Sequence, residues 1–494
     1  MNKIKLGAWF VFLCGLFFFF RIPSLLSHYV AYTYDQGRDF IAGANIVINR
    51  DLPFIGPTTG ISGLFHGAWW YYLLSIPYII FRGAPIGYYW FNFFIQFSLF
   101  VVFLFFLKRT FGQAVALFIG LVVASAPYFT FMSLFVGNNS MVLPALLLFL
   151  IGNYNVLTQK STSPLIYLML GLSLGFVGEF ELSFGILLIP LYFLGILIFQ
   201  KLRAYYFQKK GFMFMLGIGI AFTPRLLFEL KNSFSQTKIL LSFFLHPKLY
   251  NNPAPYLNRL SERWILFQQY YFDLFSNRII AYLFLFAFFS FLAIALASAI
   301  RKKHKLGTPF FFYLYLLGGL FFLSTLYKDF FWKNYYEGIQ YIFIFLMVAC
   351  IGEFVAHTYL RLKRNVLYIL IVALALSTGY DIVRSYSSKI PFDGLQVQEQ
   401  VAQYLLNRTR STDRYCLRIY TPSVIPHTYN YILLVHNQKP SSEWVDGKCW
   451  FIIEADSFAQ RREDWIETNR PKDKHSVTIK KIKDVEIRYY EVQK

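Results

Sequence analysis

Charge is scarce in this sequence. Only 15% of its 494 residues are Asp, Glu, Lys or Arg, where soluble domains carry about a quarter, so an ordinary soluble globular chain is excluded. Carboxylates are scarcer still: 26 acidic residues face 47 Lys and Arg, a formal net charge of +21. The residue patterns of several chemistries are missing. There is no zinc-spaced Cys/His set, no Walker loop and no Rossmann glycine pattern. A soluble nucleotide is therefore not expected as an energy source, and an activated substrate must come from elsewhere. No cofactor is implied, and a divalent metal, though left open, has no support in the residue pattern. Cysteines number four. Cys14 and Cys350 fall in apolar stretches, where a thiol is ordinarily inert packing.

What is abundant is apolar: 56% of the residues are hydrophobic and 21% aromatic. Stretches suited to crossing about 30 Å of hydrocarbon recur at 6–26, 67–82, 86–107, 113–132, 139–157, 163–178, 180–199, 211–230, 277–300, 309–327, 336–356 and 365–382. The expected fold is an all-α polytopic membrane protein of about 12–13 transmembrane helices over 1–382. The first span follows MNKIK and lacks a small-residue cleavage site, so it reads as a retained signal anchor. Basic residues cluster between spans, in KLRAYYFQKK (201–210), RKKHK (301–305) and RLKR (361–364), the pattern that keeps short loops cytoplasmic. No aromatic-basic pattern of a nucleic-acid module accompanies them. The bilayer is the expected partner, and nucleic acid is not.

This orientation puts the insertions 27–66 and 231–276, the loop YKDFFWKNYYE (327–337) and the tail on the extracytoplasmic side. Strict alternation then needs an odd number of spans. Either one span is missed or one segment among 67–132 is re-entrant. The tail, 383–494, reads as a small extracytoplasmic α/β domain. LQVQEQVAQYLLNR has helical spacing, while RYCLRIYT, KCWFIIEAD and VEIRYYEV alternate as half-buried strands, and SSEWVDGK supplies a turn. Cys416 and Cys449, one on each of two predicted strands, could form a disulfide in an oxidising compartment.

Most residues suited to chemistry stand at the ends of spans. In AYTYDQGRDF (31–40), Asp35, Arg38 and Asp39 fall within five positions. The plain reading is an interfacial helix with Asp35 as its N-cap and a solvated face behind it. The functional reading uses the same helix: Asp35 and Asp39, four apart, share a face as a proton acceptor and a group that tunes it. GPTTGISGLFHGAWWYYLL (56–74) brings His66 to the start of a span, either as part of an aromatic belt or as a contact for an anionic head group. Glu179 and Glu181 in GFVGEFELSFG form either a polar hairpin or the lining of a cavity. Arg225 and Glu229 are four apart and could pair along one helix. Lys328 and Lys333 bring cations among tyrosines and a tryptophan, an anchor or a charge for a phosphate leaving group.

The order of these features resembles the GT-C superfamily of polyprenyl-phosphate-sugar-dependent glycosyltransferases. The motifs YDQGRD, FHGAWWYYLL and PRLLFELKNSF are similar to those of glycosyltransferase family 39, the protein-mannosyltransferase and aminoarabinose-transferase group. The resemblance extends over roughly residues 1–380. It implies a GT-C type fold and a reaction at the extracytoplasmic face of the cell membrane. An acceptor hydroxyl on a lipid, glycan or protein attacks a sugar carried on a polyprenyl phosphate, with inversion. Asp35 would be the general base, supported by Asp39 and Arg38. His66, Lys328 and Lys333 would then be candidates for the phosphate, and Glu179 and Glu181 for the sugar or acceptor. The sequence departs from the family in having Gly67 and Ala68 where a proline pair usually follows the histidine, and Gln36 where a second acidic residue stands. Two other functions compete with this one. A glycan transporter or flippase would want charges spread through mid-span positions, and a GT-C-like polymerase or ligase would want a late arginine-rich loop. The 231–276 loop has only Arg259 and Arg263.

Overall fold

The computed structural model describes residues 7–158, 163–208, 211–245, 254–302, 307–357, 371–372, 374–380, 394–409, 414–422, 424–472 and 475–492. The chain opens with α1 (Ala8–Phe19), α2 (Ile22–Leu26) and α3 (Tyr34–Ile48). A two-stranded hairpin follows, β1 (Ile55–Thr58) with β2 (Phe65–Gly67), and then α4 (Trp69–Ile80). Helices then dominate: α5 (Pro85–Phe111), α6 (Gln113–Ser125), α7 (Pro127–Leu134), α8 (Val142–Leu157), α9 (Pro164–Phe180), α10 (Leu182–Ile198), α11 (Gln200–Tyr206) and α12 (Gly211–Lys231). The remaining helices of this part are α13 (Ser235–Leu245), α14 (Tyr256–Phe272), α15 (Arg278–Lys302), α16 (Thr308–Leu326) and α17 (Ile339–His357). The tail adds α18 (Gly394–Leu406), β3 (Leu417–Tyr420), α19 (His427–Val435), β4 (Lys448–Ile453), α20 (Ala459–Asn469), β5 (His475–Ile482) and β6 (Val485–Val492). It is a multi-pass helical membrane protein with a small α/β domain.

By length and composition, five of the described helices suffice to cross a bilayer, or seven if two bent pairs each count as one span. α5 shows how sequence bounds such a helix. Proline occupies its first turn and Gly112, at φ 93°, ends it after 27 residues, about 40 Å of rise. The segment expected to span at 67–82 is α4, only 12 residues long. The expected span over 113–132 is α6 and α7, bent by 58° where Pro127 interrupts the helix. That bend lies within 67–132, where a re-entrant segment is one of the two expectations, the other being a missed span. A second bend, of 98°, separates α10 from α11. The segment expected at 365–382 lies mostly outside the described residues.

A buried cation holds the first bend. Arg21, fully buried between α1 and α2, donates to the Ala124 carbonyl at 2.8 Å, the Phe17 carbonyl at 3.0 Å and the Ser133 hydroxyl at 3.0 Å. Its guanidinium also lies 3.6 Å from the centre of the Phe17 ring. A carbonyl next to the break, one from α1 and a hydroxyl of α7 thus solvate a charge that lipid could not.

α9 and α12 run parallel and touch backbone to backbone. A Cβ on Gly171 would stand 2.0 Å from the Phe214 carbonyl oxygen, one on Gly175 2.5 Å from the Ala221 Cβ, and one on Gly217 2.4 Å from the Leu168 carbonyl oxygen. Small residues every fourth position let transmembrane helices approach this closely. The same four-residue steps, Gly171–Gly175 and Gly217–Ala221, lead next to Glu179 and Arg225.

In the tail, strand order is β3–β4–β6–β5, with β3 and β4 parallel and the other pairs antiparallel. Alternation gives each face its own core. Leu417, Ile452 and Ile487 meet α18 and α19, while Tyr420, Phe451 and Tyr490 meet Ile466 of α20. The Cys416–Cys449 disulfide joins β3 to β4 on the α20 side. The SSEWVDGK turn closes with Asp446 and Gly447 both at positive φ.

The α9–α12 contact generates a stability prediction. Gly171→Leu should overpack that seam and lower stability by about 1–3 kcal/mol, read as a lower thermal midpoint in detergent. Gly219→Leu on the partner helix α12, where a Cβ meets nothing within 4 Å, should leave the midpoint unchanged. Equal midpoints for the two variants would show that the seam is not closely packed.

Candidate active site

The candidate site begins at the first turn of α3. The helix is capped two residues earlier than the residue pattern suggested: Thr33 is the N-cap, and its backbone N–H donates to the Gln36 Oε1 at 2.8 Å in a capping box. Asp35 is therefore freed from capping and lies within the first turn. The same bond accounts for Gln36, whose buried side chain serves the cap.

Arg38 lies between two carboxylates of very different exposure. Its Nη1 is 2.8 Å from Asp35 Oδ1 and its Nη2 is 2.9 Å from Asp39 Oδ1. The Asp35 side chain is 50% exposed and that of Asp39 only 4%. Asp39 accepts from Trp70 Nε1 at 2.8 Å through its other oxygen, so both its oxygens are engaged. Burial raises the Asp39 carboxyl to about 6, against the opposing pull of Arg38 and Trp70. The four-apart pair of the sequence thus divides into an accessible carboxylate and an internal anchor.

The β1–β2 hairpin connects this group to a second. Thr58 Oγ1 accepts from Arg38 Nη1 at 3.5 Å. On the other strand, the Phe65 carbonyl accepts from Arg225 Nη1 at 3.0 Å, and the Phe65 N–H donates to Gln236 Oε1 at 3.0 Å. Arg225 Nε donates to Glu179 Oε1 at 2.6 Å. Glu179 is fully buried, so it holds Arg225 and does not face open space. A Cβ at position 67 would stand 1.9 Å from Glu179 Oε2, so neither proline nor any other side chain fits where Gly67 lies. His66 is buried, and its Nδ1 accepts from the Leu182 N–H at 3.4 Å. Burial, with Arg225 and Arg38 nearby, lowers its pKa to about 3. It can offer a neutral N–H donor but no cation.

Arg225 and Glu229 do not form the expected pair. Glu229 instead accepts from the backbone N–H groups of Gln236 at 3.0 Å and Thr237 at 3.2 Å, at the start of α13. Orphan N–H groups attract it there, while the buried Glu179 takes the guanidinium it needs.

A third group follows α16. Lys333 Nζ is 2.6 Å from Asp273 Oδ2 and half exposed, and Lys328 is exposed. Glu181 caps α10 by accepting from the Ser183 N–H at 3.3 Å, and burial raises it to about 8. Glu337 is raised to about 7 by burial beside Tyr128, and Asn139 Nδ2 donates to it at 3.5 Å. Between this group and the hairpin lies a narrow, mainly apolar cleft lined by Thr59, Leu64, Ser183, Phe243, Tyr327 and Tyr335 among others. Among the described residues, no group of three or more His, Cys, Asp or Glu side chains is placed to hold a metal ion.

Trp70, Arg225, Gln236, Asp273 and Glu337 were not singled out as site residues from the sequence. For Arg225 a signal existed in the shared four-residue spacing of small residues that ends in Glu179 and Arg225. The others are placed by contacts distant in sequence.

The fold and this constellation define a multi-pass membrane protein with a water-accessible carboxylate–guanidinium cluster at the end of its helix bundle. No family model matches the sequence, and no curated protein matches it. The chain is similar to the crystal structure of ArnT from Cupriavidus metallidurans bound to undecaprenyl phosphate, with a TM-score of 0.48 at 11% identity over 99% of both chains. To the apo structure of the same protein the TM-score is 0.47, at 11% identity over 97% of both chains. At this identity no residue role passes from those structures to this chain.

The burial of Asp39 has a pH consequence. Its folded pKa lies above the unfolded value of 3.8, so the fold binds an extra proton between about pH 4 and 6 and loses stability as pH rises through that window. Asp39→Asn should flatten this slope in thermal midpoints measured from pH 4 to 6.5. An unchanged slope would remove Asp39 from the titration.

Proposed function

We propose that this protein is an inverting membrane glycosyltransferase. It moves a sugar from a polyprenyl-phosphate carrier to an acceptor hydroxyl at the extracytoplasmic face of the cell membrane. The observation that carries this reading is the unequal pair around Arg38. A general base must be reachable and deprotonated, and Asp35 is the half-exposed member of a cluster whose other carboxylate is buried and fully bonded.

Asp35 takes the proton of the acceptor hydroxyl as its oxygen attacks the anomeric carbon. The bond from that carbon to the phosphate oxygen breaks on the opposite side, and the electron pair leaves with the lipid phosphate. Inversion follows from this single displacement. Asp39 holds Arg38, which orients Asp35. Lys333 and Lys328 supply positive charge for the departing phosphate, and His66 offers a neutral N–H donor. The apolar side chains that line the cleft beside Tyr327 and Tyr335, Leu64, Leu187 and Phe243 among them, offer a surface for the isoprenoid units next to the phosphate. Glu181, with Glu337 near it, is suited to bind sugar hydroxyls. Glu179 acts through Arg225, fixing the hairpin that carries His66.

The test is transfer from radiolabelled polyprenyl-phosphate sugars by purified protein. Asp35→Asn should lower the rate by about 10²–10⁴-fold while expression and insertion stay normal. Wild-type turnover in that variant would take Asp35 out of the reaction. Movement of an intact glycan across the bilayer without bond exchange would instead establish a transporter.

A further inference from the structure

The tail lies directly on the helix that carries Asp35. α19 crosses the first turns of α3 at Gly37, the residue between Gln36 and Arg38. A Cβ there would stand 2.5 Å from the carbonyl carbon of His427 and 2.5 Å from the backbone nitrogen of Thr428. Main chain, which cannot move aside as a flexible side chain does, therefore excludes every residue but glycine. Tyr32 donates its hydroxyl to the Thr428 carbonyl at 3.5 Å.

Further contacts fix the register of this seat. Tyr431 donates to the Gly83 carbonyl at 2.7 Å and lies 2.9 Å from the Tyr88 hydroxyl, while its ring meets Phe40 edge-on at 5.4 Å. From α18, the Leu395 N–H donates to the Val30 carbonyl at 3.1 Å, and Glu399 Oε2 lies 2.5 Å from His28 Nδ1. Two helices of the tail thus grip the segment 28–40 at separated points. A loosely tethered domain would leave no such match of buried hydroxyls and backbone groups.

The consequence falls on His427. Its backbone lies against the turn that carries Arg38, its side chain is partly buried, and Arg38 and Asp35 are the charged groups that act on its imidazole. Arg38 is held by Asp39 within the bundle and by Asp35 along the helix. Thr58 of the hairpin also accepts from it at 3.5 Å, and α19 packs on the adjoining Gly37.

We propose that the C-terminal domain completes the acceptor side of the transfer site, with His427 as a positioning residue for the Asp35–Arg38 pair and the incoming hydroxyl. This rests on the transferase reading above. A neutral imidazole offers one donor and one acceptor nitrogen, so it can hold a hydroxyl in line with the Asp35 carboxylate without competing for its negative charge. Burial and the Arg38 guanidinium both favour that neutral form. Proton transfer in the reaction stays with Asp35.

Two measurements on the full-length protein test this. In the transfer assay, His427→Ala should lower kcat by about tenfold or more with KM for the lipid donor unchanged. His427→Asn, which keeps a donor and an acceptor, should restore most of the rate. Wild-type kcat in His427→Ala overturns the positioning role, as does equal loss of folded yield and rate in both variants. The second measurement needs no activity. An Asp35→Cys/His427→Cys double variant should be bridged within one chain by a short bis-maleimide, read by peptide mass spectrometry. Absence of the bridge overturns the juxtaposition whatever reaction the protein performs. A bridge in a protein whose wild type transfers no sugar overturns the transferase reading and the role of His427 with it.

Discussion

A guanidinium cannot rest at the edge of a hydrocarbon bundle without compensation, and most of this site follows from how Arg38 is compensated. One partner, Asp39, is buried and bonded on both oxygens by Arg38 and Trp70. The other, Asp35, faces water. If both carboxylates were exposed, Arg38 would have no fixed direction. If both were buried, nothing could reach an acceptor. The difference in burial converts two chemically identical groups into an anchor and a candidate base.

The same rule operates twice more within the bundle. Glu179 and Arg225 are brought together because small residues let α9 and α12 touch along their length, and the pair then fixes the β1–β2 hairpin through Phe65. Arg21 is held instead by the Phe17 carbonyl of α1 and by the Ala124 carbonyl and Ser133 hydroxyl on either side of the α6–α7 bend. In each case a polar group in an apolar setting is held by bonds that also determine where chain segments lie. Departures from the resembling family become understandable in these terms. Gly67 leaves room for Glu179, and Gln36 caps α3.

The tail belongs to this arrangement rather than hanging from it. Its sheet has a core on each face, and the helices of one face, α18 and α19, also meet the membrane part of the chain. Val30, Gly37, Phe40, Gly83 and Tyr88 all receive contacts from residues more than 300 positions later. A domain that reads as an appendage in sequence packs on the first turns of α3 in three dimensions.

The membrane class, most helices and three of the four tail strands were legible in the sequence, because span length, alternation and turn residues are local properties of neighbouring positions. So was the concentration of charge at helix ends, since the cost of burying it in lipid does not depend on the fold. The strand at 475–482 and the two helices at 427–435 and 459–469 were not singled out, and neither was the true cap of α3, which a reciprocal bond between Thr33 and Gln36 decides. What only the tertiary structure settled is pairing. Whether Arg225 meets Glu229 or Glu179, which of Asp35 and Asp39 is buried, and that His427 lies over Gly37 depend on contacts between segments far apart in the chain. Burial and partnership are properties of the packed fold and are absent from any single stretch of it.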